Sequence, residues 1–271
     1  MERTILLLAG YLLLTAVPAA SAQDTDNLVP PGTRVERDLA YVKDGHERNR
    51  LDLYLPGKGD GPFPVIVCLH GGSWIRGSKD NCHAAPLCAR GYAAASMNYR
   101  FLQHGDFPAQ IEDCKAAVRW LRANARKYNL DPDHIGVMGA SSGGHLATML
   151  GVAGHVKEFD AYGDHRDQSS RVQAVIDLFG LLRISKEMAG KSNVLDYVTK
   201  ETPPFLIVHG DADKSVPIKQ SEQLSAALKK AGVDVTFHVV KGGGHSGQAF
   251  FTEEMMAMYG SFFDKHLRNK N

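Results

Sequence analysis

The strongest constraint on the fold is a rhythm of short, almost uninterrupted apolar runs separated by amphipathic stretches. The runs fall at residues 65–69, 92–97, 135–138, 172–176, 205–208 and 235–240, and they lack the clean polar–apolar alternation of a strand with one wet face. Strands buried on both faces read this way. Helical spacing separates most of them, chiefly at 108–128, 143–153, 217–232 and 252–268. Residues 36–42 and 50–56 do alternate, on either side of the polar turn Lys43, Asp44, Gly45, His46, which predicts an antiparallel hairpin. Together these segments predict an α/β fold: a mostly parallel eight-stranded sheet with an N-terminal antiparallel hairpin and helices on both faces. Such sheets bind ligands beyond the carboxyl ends of their strands, so the residues after each run are where chemistry is expected.

Composition is compatible with one such unit. A chain of 271 residues with 44% hydrophobic and 23% charged residues can bury a large core, which excludes disorder and collagen-like structure. Lys and Arg total 31 against 30 Asp and Glu, and the net charge of +1 gives no field that would gather nucleic acid or an anionic membrane. Residues 1–22 read as a signal peptide, with Arg3, the apolar stretch 5–17 and the small-residue site Ala20, Ser21, Ala22. That stretch is short of the ~20 residues a spanning helix needs, so the expectation is a secreted or periplasmic protein with no permanent membrane anchor. Residues 23–35 read as a polar tail and 36–271 as one domain.

In an exported chain the four cysteines permit disulfides, but four are too few for a disulfide framework at this size. Cys68 lies inside an apolar run and reads as a buried free thiol. Cys114 shares a helical stripe with Ile111, Val118, Leu121 and Ala125. It reads either as core or as one half of a bridge to Cys82 or Cys88, with Cys82–Cys114 the favoured pairing. No C-x-x-C pair and no His pair at ligand spacing occurs, so no metal is expected.

Four strand ends stand out. After residues 65–69 comes His70-Gly71-Gly72-Ser73-Trp74, where two glycines allow a sharp turn with amides facing a cavity. After 135–138 comes Gly139-Ala140-Ser141-Ser142-Gly143-Gly144, a G-x-S-x-G pattern between a predicted strand and a predicted helix. That spacing forces Ser141 into a tight elbow with its hydroxyl exposed at a helix N-terminus and places the Ser142 amide beside it. After 205–208 come Asp211 and Asp213, and after 235–240 comes His245 in a Gly-rich loop. A Ser hydroxyl becomes nucleophilic when a neutral imidazole takes its proton and a carboxylate fixes that imidazole's tautomer. Either aspartate could supply the carboxylate; the other histidines read as satisfying local backbone groups or lying in loops, strands and polar faces.

The order Ser141, acid, His245 behind a hairpin and an alternating sheet resembles the α/β-hydrolase fold over essentially the whole mature chain. Asn98-Tyr99-Arg100, the run from Phe107 to Asp113 and H-G-G-x-W are similar to the hormone-sensitive-lipase-like esterases, and look closest to the feruloyl and acetylxylan esterase-like branch of carboxylesterases. The resemblance implies hydrolysis of short acyl esters or of esters on plant polysaccharides, with no cofactor. It implies an oxyanion hole from the amides of Gly72, Ser73 and Ser142. It also selects the acid: relatives carry H-G-x-x-D-x-x-V-P, which here runs from His209 to Pro217 and places the acid at Asp213. The elbow departs from relatives in having Ser142 where Ala is usual, and no acidic residue follows Phe179-Gly180. The same motifs also resemble kynurenine formamidases and prolyl-oligopeptidase-type domains, and some members of the fold are non-catalytic binding modules. The acyl group, the alcohol, the oligomeric state and whether 154–171 and 181–203 form a lid stay open.

Overall fold

The computed structural model describes residues 29–184 and 191–268. The expected signal peptide and the first part of the polar tail lie outside them. Eight strands form one sheet: β1 (Arg34–Ala40), β2 (Arg50–Leu55), β3 (Phe63–Leu69), β4 (Ala93–Met97), β5 (Leu130–Ala140), β6 (Ala174–Leu178), β7 (Phe205–Gly210) and β8 (Val235–Val240), in the order β1-β2-β4-β3-β5-β6-β7-β8. β2 runs antiparallel to both of its neighbours, and every pairing from β4 onward is parallel. β1 begins at Arg34, two residues inside the stretch read as tail, because Arg34 already pairs with Leu55. Among the described residues no helix is long and apolar enough to cross a membrane.

The near-continuous apolar runs have a simple cause. Along β3, Val65, Val67 and Leu69 point to one layer while Ile66 and Cys68 point to the other. The first layer is built on α1 (Ala109–Ala123), α3 (Ser142–Val152) and α4 (Lys219–Lys230); the second takes in residues 84–88 and α5 (Glu253–Phe263). Each residue of the inner strands therefore meets helices on whichever side it faces, which leaves no position for a polar alternation; β8, expected to be buried on both faces, lies at the sheet edge and is only half-buried. The predicted helix 108–128 is broken at Asn124, with a four-residue α2 (Ala125–Tyr128) after it and Asn129 in the left-handed region at φ 55°.

The layers also correct the favoured disulfide. Cys114 belongs to the first layer, Cys82 and Cys88 to the second, and the sheet lies between them. A disulfide requires Cα atoms within about 7 Å, so neither bridge to Cys114 can form. All four thiols are free and buried, and Cys68 and Cys82 hydrogen-bond to each other.

Segment 154–171 is strapped to α1. Asp160 takes Lys115 Nζ at 3.2 Å and Arg119 Nη1 at 2.8 Å, and Lys115 also donates to the Val156 carbonyl at 2.7 Å. Phe159 is fully buried and meets Tyr197 edge-on at 5.7 Å, joining this segment to the one after residue 191.

Candidate active site

The position of Ser141 is set by backbone crowding. β5 runs into α3 through Ser141, held at φ 56° and ψ −120°, a left-handed turn that lifts its side chain clear of the sheet. The turn closes only because its flanks have no Cβ: one on Gly139 would meet the Gly143 carbonyl at 2.2 Å, and one on Gly143 would meet the Leu69 carbonyl at 2.2 Å. The Ser141 amide donates to the Leu178 carbonyl at 2.9 Å, tying the elbow to β6. Strain of this kind is stored where the surroundings over-determine the conformation.

Ser141, His245 and Asp213 converge from the ends of β5, β8 and β7. Ser141 Oγ lies 2.9 Å from His245 Nε2, and His245 Nδ1 lies 2.7 Å from Asp213 Oδ2. A carboxylate can only accept, so Nδ1–H donates to Asp213 and Nε2 is left to accept the Ser141 proton. Asp213 is sealed from solvent, and burial alone raises a carboxyl pKa. The Val216 and Ser215 amides, both donating to Oδ1, and the His245 ring outweigh that burial and hold the Asp213 carboxyl below the usual range. Asp211 sits elsewhere: its Oδ1 accepts the Gly242 amide at 2.7 Å and its carboxylate pairs with Lys241, making it a loop residue.

The amides of Gly72, Ser73 and Ser142 donate to no carbonyl among the described residues outside helices and strands. The loop that carries the first two is braced from the hairpin. Arg48 Nε donates to the Tyr99 carbonyl at 2.8 Å and its guanidinium also reaches the Gly77 carbonyl, while the buried Lys79 pairs with Asp52 on β2 at 2.8 Å. Ser142 itself is fully buried, so its side chain points away from the cleft.

Three contributors were not singled out from sequence. His209, read as serving local backbone, does donate to the Val216 carbonyl at 2.9 Å, but the same Nε2 lies 3.1 Å from Asp213 Oδ2. With Ser221 Oγ at 2.7 Å from its Nδ1, it holds the carboxylate from behind; the i,i+4 spacing in H-G-x-x-D was the available signal. Phe179, at φ 43°, sets its ring edge-on to His245 at 5.0 Å. The turn that presents it is held by Asp177, whose Oδ1 accepts the Gly180 amide at 2.9 Å; an Asp directly after an apolar run gave no hint of this.

Asp177 is fully buried, and burial raises its carboxyl pKa to about 7 against the partial pull of Gly180 and Thr148. Between the ordinary value of 3.8 and about 7, the folded protein holds a proton that the unfolded chain has lost. Stability therefore falls as pH rises through that window, and the cost is fully present above it. Asp177→Asn keeps the acceptor oxygen and removes the titration. Relative to wild type, the variant should gain at least about 4 °C more in Tm at pH 8 than at pH 5; equal shifts at the two pH values in thermal melts would refute this.

The cleft above Ser141 has a volume of about 480 Å³ and is walled by Gly72, Trp74, Phe179, Leu181, Val216 and Phe251 among others. Of the four apolar residues from the candidate lid segments that could line an acyl tunnel (Phe159, Leu181, Leu182 and Ile184), only Leu181 reaches it.

Comparison with known proteins follows the same outline. The BD-FAE family model matches residues 51–193, and the prolyl oligopeptidase family model matches residues 182–270. Esterase LipC of Mycobacterium tuberculosis is 28% identical over 213 residues, 68% of this chain and 53% of LipC. A truncated carbohydrate esterase from gut microbiota superposes with a TM-score of 0.82 at 31% identity, over 88% of this chain and 98% of that one. An acetyl ester-xyloside bifunctional hydrolase from Caldicellulosiruptor lactoaceticus gives 0.68 at 26% identity, over 80% and 88%. The chain spans about half the length of the curated relatives it matches.

Proposed function

Because the chain belongs to the BD-FAE family of α/β-hydrolase carboxylesterases, we propose that it is an exported serine esterase that removes short acyl groups, including acetyl and feruloyl groups carried on plant polysaccharides. The observation that carries this reading is the hydrogen-bonded line from Ser141 Oγ through His245 to Asp213. In the first step His245 Nε2 takes the Ser141 proton as Oγ attacks the ester carbonyl, and the amides of Gly72, Ser73 and Ser142 receive the charge that develops on its oxygen. Collapse expels the alkoxide, which takes the proton back from His245. Water then enters, loses a proton to His245 and releases the acid from Ser141. The imidazolium formed in each half is balanced by the Asp213 carboxylate.

The carbohydrate esterase and the acetyl ester-xyloside hydrolase among the structural neighbours support a saccharide alcohol. The leader-like first 22 residues support export. A panel of nitrophenyl esters with acetylated xylan, methyl ferulate, formylkynurenine and a peptide anilide tests the reading. The last arm is included because the prolyl oligopeptidase model covers the loops of the proposed acid and base. Cleavage of the anilide or formylkynurenine in preference to every ester would overturn it.

Acyl length follows from the cleft. With Leu181 alone of the candidate tunnel residues reaching the cleft, added methylenes gain little burial, and each is worth little unless a pocket encloses it. Nitrophenyl acetate or butyrate should exceed the dodecanoate in kcat/KM by about tenfold or more. Faster turnover of the dodecanoate would make the protein a lipase.

A further inference from the structure

The cleft over Ser141 carries an unbalanced charge. Its lining includes Arg76, and among the described residues no Asp or Glu lines it. Arg76 is exposed and makes no ion pair among the described residues. Its backbone is nevertheless fixed at the cleft, because its amide donates to the Gly72 carbonyl at 3.1 Å, and its own carbonyl packs so tightly on Gly72 that a Cβ there would sit 2.1 Å away. Gly72, proposed to contribute an oxyanion amide, thus also anchors the main chain that carries the cation. The one other basic side chain lining the cleft besides His245 is His83, whose pKa is lowered by burial, so it is neutral at pH 7.

The rest of the lining suits a polyhydroxylated ring. Ser73, Ser215 and Ser246 offer hydroxyls, and Phe251 stacked on His83 at 4.1 Å and 16° presents a flat aromatic face. Apolar walls around a single cation concentrate its field toward whatever enters. Arginine adds a planar fork that matches a carboxylate through two parallel hydrogen bonds, which a solvated ammonium does not.

We infer that the preferred ester carries a carboxylate close to the scissile bond and that Arg76 receives it. This rests on the esterase reading and narrows its substrate to anionic esters. The carboxylate has two possible sources: the acyl group, as in a half-ester of a dicarboxylic acid, or the alcohol, as in an acylated uronic acid.

The test uses the full chain and two matched pairs of esters. Nitrophenyl hemisuccinate against nitrophenyl butyrate places the charge on the acyl side; a methyl O-acetyl-galacturonide against the corresponding galactoside places it on the alcohol. In wild type, kcat/KM should favour the anionic member of one pair by about tenfold at low salt, chiefly through KM, and the preference should shrink as salt screens the pair. Arg76→Gln should bring that ratio close to one, Arg76→Lys should keep part of it, and Arg76→Glu should invert it. Comparing each variant with wild type cancels the intrinsic reactivity of the esters. Hydrolysis of both pairs by wild type without discrimination, or a preference that survives Arg76→Gln, overturns the inference and leaves the esterase reading standing. Failure to hydrolyse any of the four esters removes both.

Discussion

Ser141→Ala is expected to lower kcat by about four to six orders of magnitude while the fold stays intact. The Oγ atom has one recorded hydrogen bond, to His245 Nε2, so its loss leaves no buried partner unsatisfied: the imidazole, partly open to the cleft, can turn to water. The strained backbone at φ 56° is imposed by Gly139, Gly143 and the Leu178 carbonyl, none of which the substitution touches. The effect is large because the relay acts as a unit, with His245 and Asp213 having nothing to activate once the hydroxyl is gone. A fluorophosphonate probe should label wild type and not the variant. Activity above about 1% of wild type in a variant with an unchanged circular dichroism spectrum would mean that another residue attacks the ester.

The second large effect separates two carboxylates three positions or fewer from the end of β7. In Asp213→Asn, Oδ1 can still accept the Ser215 and Val216 amides. The atom facing His245 Nδ1 becomes an amide NH₂, a donor meeting a donor. The imidazole relieves that clash by moving its proton to Nε2, which then points N–H at Ser141 and can no longer act as a base. A loss on the order of 10⁴ in kcat is expected, as for the carboxylate of other serine-hydrolase relays. Asp211→Asn keeps its acceptor for the Gly242 amide and loses only an exposed contact with Lys241, so kcat should barely move. The reverse ranking, with both variants folded, would assign the acid to Asp211.

These expectations draw on a sequence that is legible in some places and opaque in others, for physical reasons. The sheet could be read because burial on two faces leaves a compositional mark on each strand, as Val65 to Leu69 show. The elbow could be read because close backbone approach admits only glycine at 139 and 143. The choice between Asp211 and Asp213 could not be made from residue types, since both follow the same strand; the motif resemblance selected Asp213, and it is Asp213 that lies against His245. The favoured bridge from Cys82 to Cys114 does not form: periodicity shows that a residue is buried but not on which side of the sheet. Asp177 and Phe179 stayed hidden because their roles depend on a turn that pairs β6 with the elbow across 36 or more residues of chain. His209 was hidden in a different way, since a histidine that bonds local backbone and one that also steadies a carboxylate look the same in sequence.

The separation along the chain of the three converging side chains has a consequence for how the site is assembled. Ser141 and His245 lie 104 positions apart, and Asp213 and His245 lie 32 apart. The elbow needs the Leu178 carbonyl on β6 to hold the Ser141 amide, so even the hydroxyl takes its place only after a later strand has paired. His245 lies in the loop after β8, and it meets Ser141 only once β7 and β8 have docked along the far edge of the sheet. The complete line of side chains is thus a property of the tertiary structure, because Ser141, Asp213 and His245 stand at the ends of three different strands.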